Sequence, residues 1–124
     1  MRNNIIQEKS FAFALAIVKA CNRLKEENVP FHLINQLLKC GTSIGANIEE
    51  GIGGQTRKDF ASKMYIAYKE ARETHYWLRL LRDSALIDSG KCNQLLSDLE
   101  EILKITGSIL RTVYGRNLDL KKDG

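Results

Sequence analysis

The chain of 124 residues has few of the residues that interrupt helices and few of those that build catalytic or metal centres. Proline occurs once, at Pro30, so long uninterrupted helices are permitted. The two histidines, His32 and His75, belong to no His-x-x-x-His or Glu-x-x-His motif, and no Cys-x-x-Cys occurs, so we expect no metal or other cofactor. No apolar run approaches the roughly 20 residues of a membrane-spanning helix, and we expect no membrane association.

The chain also contains few cysteines and carries a small net charge. The three cysteines, Cys21, Cys40 and Cys92, are odd in number and each falls in a helical pattern, which is typical of reduced thiols packed as small apolar groups. Reduced thiols indicate a reducing compartment, and the N-terminus is too polar for a signal peptide, so we expect a cytoplasmic protein. The net charge of +4 is compatible with a polyanionic partner without requiring one.

Apolar residues recur at spacings of three and four along most of the chain, which predicts helices. Thr56, followed three residues later by Asp59, is a candidate N-cap for the third helix, and either Asp88 or Ser89 can cap the fourth. The predicted helices cover residues 4–27, 31–50, 57–86 and 89–114.

Short loops between four helices favour antiparallel neighbours. We therefore predict an all-α protein, an antiparallel up-down-up-down four-helix bundle, with one domain at 1–115 and a polar tail at 116–124. Gly41 and Gly45 lie on the core face of the second helix and should let a neighbouring helix approach closely. The predicted core stripe of the first helix is Ile6, Ser10, Phe13, Ile17, Ala20 and Leu24. That of the third helix is Phe60, Met64, Ala67, Ala71, Leu78, Leu81 and Ala85.

The apolar arcs of the first and third helices are wider than a small monomeric bundle needs. They span about half the circumference or more, whereas a helix on a small core buries an arc of about 100°. On the first helix, Phe11, Leu15 and Val18 form a second stripe beside the core stripe. This excess favours self-association, although a few scattered exposed apolar residues are normal in monomers.

Basic and aromatic residues are interleaved on the outer face of the third helix. Cations can neutralise phosphates and rings can stack on bases, so this face is a candidate nucleic-acid surface; a solvated helix face is the alternative. His75 lies at its edge and is more typical of a solvated or stacking residue than of a general base. At the start of the helix, free N–H groups could hold a backbone phosphate. The candidate residues are Arg57, Lys58, Tyr65, Lys69, Arg72, Tyr76 and Arg79.

The second helix carries a polar stripe opposite its core face, formed by Gln36, Ser43, Asn47 and Glu50. Residues at this spacing either face water or form hydrogen bonds to another helix or subunit, and the spacing does not distinguish these alternatives.

One segment resembles a known family. Residues 42–51, Thr-Ser-Ile-Gly-Ala-Asn-Ile-Glu-Glu-Gly, are similar to the signature of the four-helix bundle proteins encoded in intervening sequences of bacterial 23S rRNA genes, in which a serine is followed four residues later by Asn-Ile, then by an acidic residue and glycine. Residues 58–78 resemble the next conserved block of that family, and the likeness runs from the first helix into the fourth. Lys69-Glu70 stands where many members carry Gly-Ser, which suggests a subgroup.

The resemblance implies an up-down bundle that assembles as a ring-like homopentamer, a link to RNA or DNA, and no enzymatic activity. The accessory variability protein of diversity-generating retroelements is similar in fold and is associated with nucleic-acid binding. The alternative function is a structural scaffold for an unidentified protein partner, with no nucleic-acid ligand. The positions that match the family pattern are expected to be structural or interface residues: Ser43, Asn47, Glu50, Gly51, Phe60, Ala67, Glu73, Trp77 and Leu78.

Overall fold

The computed structural model describes residues 2–115, which form an all-α four-helix bundle. Helix α2 packs against α1 and α3, and α4 packs against α3 and, less extensively, against α1, so consecutive helices are neighbours as predicted. None of the helices in this part of the chain is long and apolar enough to cross a membrane. The predicted tail at 116–124 lies outside the described residues. The helices are α1 (Arg2–Glu26), α2 (Phe31–Ile52), α3 (Arg57–Asp83) and α4 (Ser89–Tyr114).

The N-termini of α3 and α4 are capped by side chains. The Thr56 hydroxyl accepts the Asp59 N–H at 3.0 Å, which confirms the predicted cap of α3. At α4 the Asp88 carboxylate accepts the Lys91 N–H at 2.9 Å, so Asp88, rather than Ser89, is the cap. Each of these bonds satisfies one of the N–H groups that a first helical turn leaves without an acceptor.

The predicted end of α3 at residue 86 is wrong, because the helix ends at Asp83. Ala85 adopts a left-handed conformation with φ 60°, its N–H bonds to the Arg82 carbonyl, and the Leu86 N–H bonds to the Leu81 carbonyl. This is the Schellman motif, which usually has glycine at the left-handed position. The alanine there gave no stop signal in the sequence. Ala85, predicted to be in the core, is consequently exposed.

The core lies along the four inward helix faces. Every residue of the predicted α1 stripe is buried, including Ser10, whose hydroxyl donates to the Gln7 carbonyl at 3.1 Å. The α3 stripe is buried from Met64 to Leu81, and Phe60 is half-buried at its start. The 3.6-residue periodicity therefore identified the inward faces correctly.

Two glycines bring α2 into close contact with α1, as predicted. A Cβ placed on Gly41 would lie 2.9 Å from the Ile17 Cγ2 atom, and one placed on Gly45 would lie 3.3 Å from the Ser10 carbonyl oxygen. A side-chain methyl such as that of Ile17 can shift slightly, but the Ser10 backbone carbonyl cannot move without displacing α1. Gly45 therefore sets the minimum separation of the two helices.

The three cysteines are buried and unpaired, as expected for small apolar groups. Burial raises the pKa of Cys21 and of Cys40 to about 11, and it also raises the pKa of Cys92. The Cys92 thiol donates to the Leu78 carbonyl at 3.1 Å across the α3–α4 contact. Protonated thiols at these positions act as core side chains rather than nucleophiles.

Substituting Gly45→Ala should destabilise the bundle by about 1–2 kcal/mol. The added methyl overpacks the α1–α2 contact at a cost of about 1–3 kcal/mol, which exceeds the roughly 0.5–1 kcal/mol that alanine gains over glycine inside a helix. Chemical denaturation monitored by circular dichroism measures this change. Gly53→Ala is the matched control: its φ is −81° and the nearest atom to an added Cβ is 3.6 Å away, so alanine fits. Equal stability of the Gly45→Ala variant and the wild type would contradict the close-packing interpretation.

Candidate nucleic-acid interface

The outer face of α3 carries a shallow groove of about 440 Å³. Side chains three and four residues apart project from the same side of a helix, which brings basic and aromatic residues together here. Five of the seven predicted binding residues line the groove. Its complete lining is Tyr65, Tyr68, Lys69, Arg72, Glu73, Tyr76 and Arg79.

The other two predicted residues, Arg57 and Lys58, are exposed in the first turn of α3 and do not line the groove. Lys58 precedes Tyr65 by seven residues, a separation of about 10 Å along the helix axis. The structure therefore divides the predicted face into a groove and a separate basic N-terminal turn.

Aromatic contacts order the groove. The Lys69 ammonium lies 5.8 Å from the centroid of the Tyr65 ring, in a cation–π contact. Tyr76 packs edge-on against Trp77 with ring centroids 5.1 Å apart, yet half of its surface remains exposed. The Trp77 indole N–H donates to the Glu73 carboxylate at 3.1 Å. This bond holds the one carboxylate that lines the groove.

The electrostatics of this region combine cations with closely spaced carboxylates. Three cations and the carboxylate of Glu73 line the groove, which leaves a net positive charge. Beside it, partial burial of Glu70 and the negative charge of Glu73 raise the Glu70 pKa, while Lys39 and Lys69 oppose that rise. The three cations therefore make the electrostatic potential in the groove positive, and the carboxylates of Glu70 and Glu73 reduce it.

His75 connects α3 to α4. Its Nδ1 atom accepts a hydrogen bond from Arg79 Nε at 3.0 Å, and its Nε2 atom lies 3.1 Å from the Glu100 carboxylate. The side chain is 24% exposed and hydrogen-bonded at both ring nitrogens, so it is neither freely solvated nor stacked, contrary to expectation. The four-residue spacing of His75 and Arg79 was visible in the sequence, but the contribution of Glu100 from another helix was not.

The residues of α2 that match the family signature form two groups, one bonded within α2 and one in contact with α3. The Asn47 side-chain amide donates to the Ser43 carbonyl at 2.8 Å and to the Ser43 hydroxyl at 3.0 Å, which accounts for their spacing of four. Glu50 forms a 2.8 Å ion pair with Lys63 of α3. Gly51 is buried where a Cβ would lie 3.0 Å from the Lys63 Cβ. Of the two alternatives for the polar stripe, Glu50 thus reaches another helix, while Asn47 bonds within its own.

A family model described as 23S rRNA-intervening sequence protein matches residues 2–108, which include the whole groove. The chain belongs to this family. A solved relative shares the fold, with a TM-score of 0.86 and 41% sequence identity over 90% of this chain and 99% of that chain. It is a protein of unknown function from the S23 ribosomal protein family of Bacteroides thetaiotaomicron, determined by crystallography. No curated protein matches the chain.

This member of the 23S rRNA-intervening sequence family also exposes apolar side chains. Phe11, Leu15 and Val18 are 69%, 47% and 39% exposed along the outer side of α1. We call these three residues the α1 apolar stripe. On α3, Ile66 and Leu80 are exposed to a similar degree, at 38% and 39%. The wide apolar arcs expected on α1 and α3 are therefore present as solvent-accessible surface.

The described residues also bear on metal binding. Within residues 2–115, no group of three or more His, Cys, Asp or Glu side chains is placed to hold a metal ion.

Substituting Glu70→Gln should stabilise the fold at neutral pH. The pKa of Glu70 is raised in the folded state, so its charged form lowers the stability of the fold at pH values above that pKa. The destabilisation disappears when the pH falls below the pKa of Glu70 in the unfolded chain, because the group is then neutral in both states. The gain should be below about 1 kcal/mol, since Glu70 is only partly buried and solvent screens its charge. Thermal melts of both proteins at neutral and acidic pH measure the difference.

The control for this substitution is Glu101→Gln, which removes a 3.0 Å ion pair with Lys9 and should not raise the melting temperature. A Glu70→Gln variant that is less stable at neutral pH, or whose advantage is unchanged at acidic pH, would refute the electrostatic explanation.

Proposed function

We propose that this protein is a non-enzymatic, self-associating bundle that binds RNA or DNA through the basic face of α3. The observation that carries the proposal is the α3 groove, in which three cations surround two accessible tyrosines. Lysine and arginine neutralise the phosphates, and the tyrosine rings offer stacking surfaces worth about 1–3 kcal/mol per base. Tyr76, half exposed, is the better placed of the two rings.

The basic first turn of α3 extends this surface. In a helix, the first N–H groups have no acceptor within the helix. Here the Thr56 hydroxyl accepts the N–H of Asp59, and the Thr56 carbonyl accepts that of Phe60. The N–H groups of Arg57 and Lys58, together with their side chains, can therefore hold a second phosphate about 10 Å from the groove. A nucleic acid lying along α3 would contact both positions.

Self-association would multiply the groove. The α1 apolar stripe supports a contact between copies of the chain, because contiguous exposed apolar surface often marks an interface. Membership in the 23S rRNA-intervening sequence family supports a homopentameric ring as the assembly. Several grooves on one ring would bind a long polyanion with greater avidity than a single groove.

The same α1 apolar stripe favours a second candidate function, a scaffold for another protein. In that case a partner chain would cover Phe11, Leu15 and Val18, and the α3 face would serve only to keep the bundle hydrated. Stable assembly without any nucleic-acid binding would support this alternative.

Charge reversal at Arg72→Glu or Arg79→Glu should weaken nucleic-acid binding and reduce its dependence on salt. Each lost phosphate contact lowers the slope of log affinity against log salt by about 0.7 for a single strand and about 0.9 for a duplex. Fluorescence anisotropy with short single-stranded and hairpin RNAs, and with DNAs of the same sequence, measures both quantities.

Lys25→Glu is the matched control, because it makes the same change in net charge at an exposed position of α1. Binding that is insensitive to salt, or that falls equally in the control, would overturn the proposed surface. Preference for RNA over DNA would identify the natural ligand class.

Substituting Leu15→Glu should dissociate the assembly, because it buries a charge in the proposed contact between copies. Multi-angle light scattering should give a mass near five times 14.1 kDa for the wild type and one chain for the variant. Ala12→Glu, at an exposed α1 position outside the apolar stripe, is the control and should leave the assembly intact. A wild-type protein that is monomeric would refute self-association.

A further inference from the structure

A second depression lies next to the α3 groove, at the contact of α3 with α4. Its volume is about 300 Å³, and it is lined by Arg72, His75, Arg79 and Leu103. Arg72 and Arg79 also line the α3 groove, so the two concavities share a rim of cations. His75 is the one imidazole in this lining, and imidazole is the side chain used most often as a pH-dependent charge near neutrality.

Hydrogen-bond geometry defines the protonation state of His75 in the described structure. The guanidinium of Arg79 remains charged and can only donate, so the Nδ1 atom that accepts from its Nε at 3.0 Å carries a lone pair. The ring is therefore neutral with its proton on Nε2, from which it donates to Glu100 at 3.1 Å. Arg79 Nε also donates to the His75 backbone carbonyl at 3.3 Å. The Nε–H group of Arg79 thus has two acceptors on His75, which restrain this side chain.

Protonation of His75 must change this arrangement. A proton on Nδ1 removes the acceptor for Arg79 and places two positive charges in contact, which displaces the guanidinium from the ring. The imidazolium keeps its Nε2 bond to Glu100, now as an ion pair. The charged groups that face His75 are Glu100 from α4, and Arg72 and Arg79 from its own helix.

We propose that Arg72, His75 and Arg79 form a phosphate-binding site that gains its third cation when His75 is protonated. The inference rests on the proposed function, since the phosphate is that of a nucleic acid bound along α3. In the neutral state, His75 restrains Arg79 and contributes no charge. In the protonated state, Arg79 loses its bond to the imidazole ring and can turn its guanidinium toward the ligand. His75 adds a positive charge, so nucleic-acid binding strengthens as the pH falls.

Two opposing effects accompany protonation. Loss of the bond to the ring leaves the Arg79 side chain less ordered before a ligand binds, and this loss of order opposes binding. One additional phosphate contact contributes about 0.7 to the salt slope for a single strand, equivalent to about fivefold in affinity at roughly 0.1 M salt. Only the bond to the ring is lost, because Arg79 Nε can still donate to the His75 carbonyl. The side chain therefore stays partly ordered, and we expect the added charge to decide the direction of the effect.

The experiment compares the affinity of a short single-stranded RNA at about pH 8 and about pH 5.5, where imidazole changes charge. The wild type should bind about fivefold more tightly at the lower pH, with a salt slope larger by about 0.7. His75→Gln stays neutral and should lose this difference. His75→Lys carries a permanent cation and should bind tightly at both values.

His32→Gln is the matched control, because His32 is the only other histidine of the chain and lies exposed on α2. It should keep the full pH dependence. A pH dependence that survives in His75→Gln, or that disappears in His32→Gln, would overturn the site. A wild type that binds nucleic acid at neither pH would instead overturn the proposed function from which this regulation follows.

The tautomer of His75 gives a readout independent of binding. Long-range ¹H–¹⁵N correlation of the imidazole should show the proton on Nε2 at about pH 8 and on both nitrogens at about pH 5.5. A proton on Nδ1 at the higher pH would rule out the hydrogen bond from Arg79 and with it the proposed restraint.

Discussion

The close approach of α2 to both of its neighbours determines how the other helices present their side chains. Gly45 meets the Ser10 carbonyl of α1, and Gly51 meets Lys63 and the Phe60 carbonyl of α3, at distances that leave no room for a side chain. Interiors packed this closely do not allow a helix to rotate or shift freely. Once α2 is seated between α1 and α3, the inward face of α3 is defined, and its basic and aromatic residues must point outward.

The outward face of α3 is a balance of charges rather than a uniformly positive surface. Glu73 lies inside the groove and is held by Trp77, while Glu100 of α4 holds the imidazole of His75. These carboxylates occupy hydrogen-bond donors that a phosphate would otherwise take. Such internal competition weakens the attraction of anions to this face, and under the proposed function it would make the binding strength depend on pH and salt.

The short signature of the second helix has a structural explanation within one chain. Serine and asparagine four residues apart bond to each other on the surface of α2, the acidic residue pairs with Lys63, and the glycine allows α3 to begin close by. Glu50 and Gly51 therefore support the α2–α3 contact, whereas the bond between Ser43 and Asn47 lies within α2. In this protein the last two residues of the signature help to position α3, the helix that carries the groove.

Local physical chemistry made much of this protein predictable from its sequence. Apolar spacing identified the four helices and the buried α1 stripe, and the Thr56–Asp59 pair identified the start of α3. The spacing of basic and aromatic residues indicated which of them share the outer face of α3, although not that Arg57 and Lys58 lie apart from the groove. These features depend on residues close together in the chain, where backbone geometry alone sets which side chains meet.

Tertiary structure decided the rest. Ala85 ends α3 in a left-handed conformation that alanine disfavours, because the turn that follows must return the chain to α4. The environment of His75 depends on Glu100, 25 residues away, and only the packing of α3 on α4 brings the two together. The sequence by itself thus determined the helices and their faces, since these follow from local periodicity. Only the folded chain determined where α3 stops and which charges meet across helices, since those depend on distances that no local pattern contains.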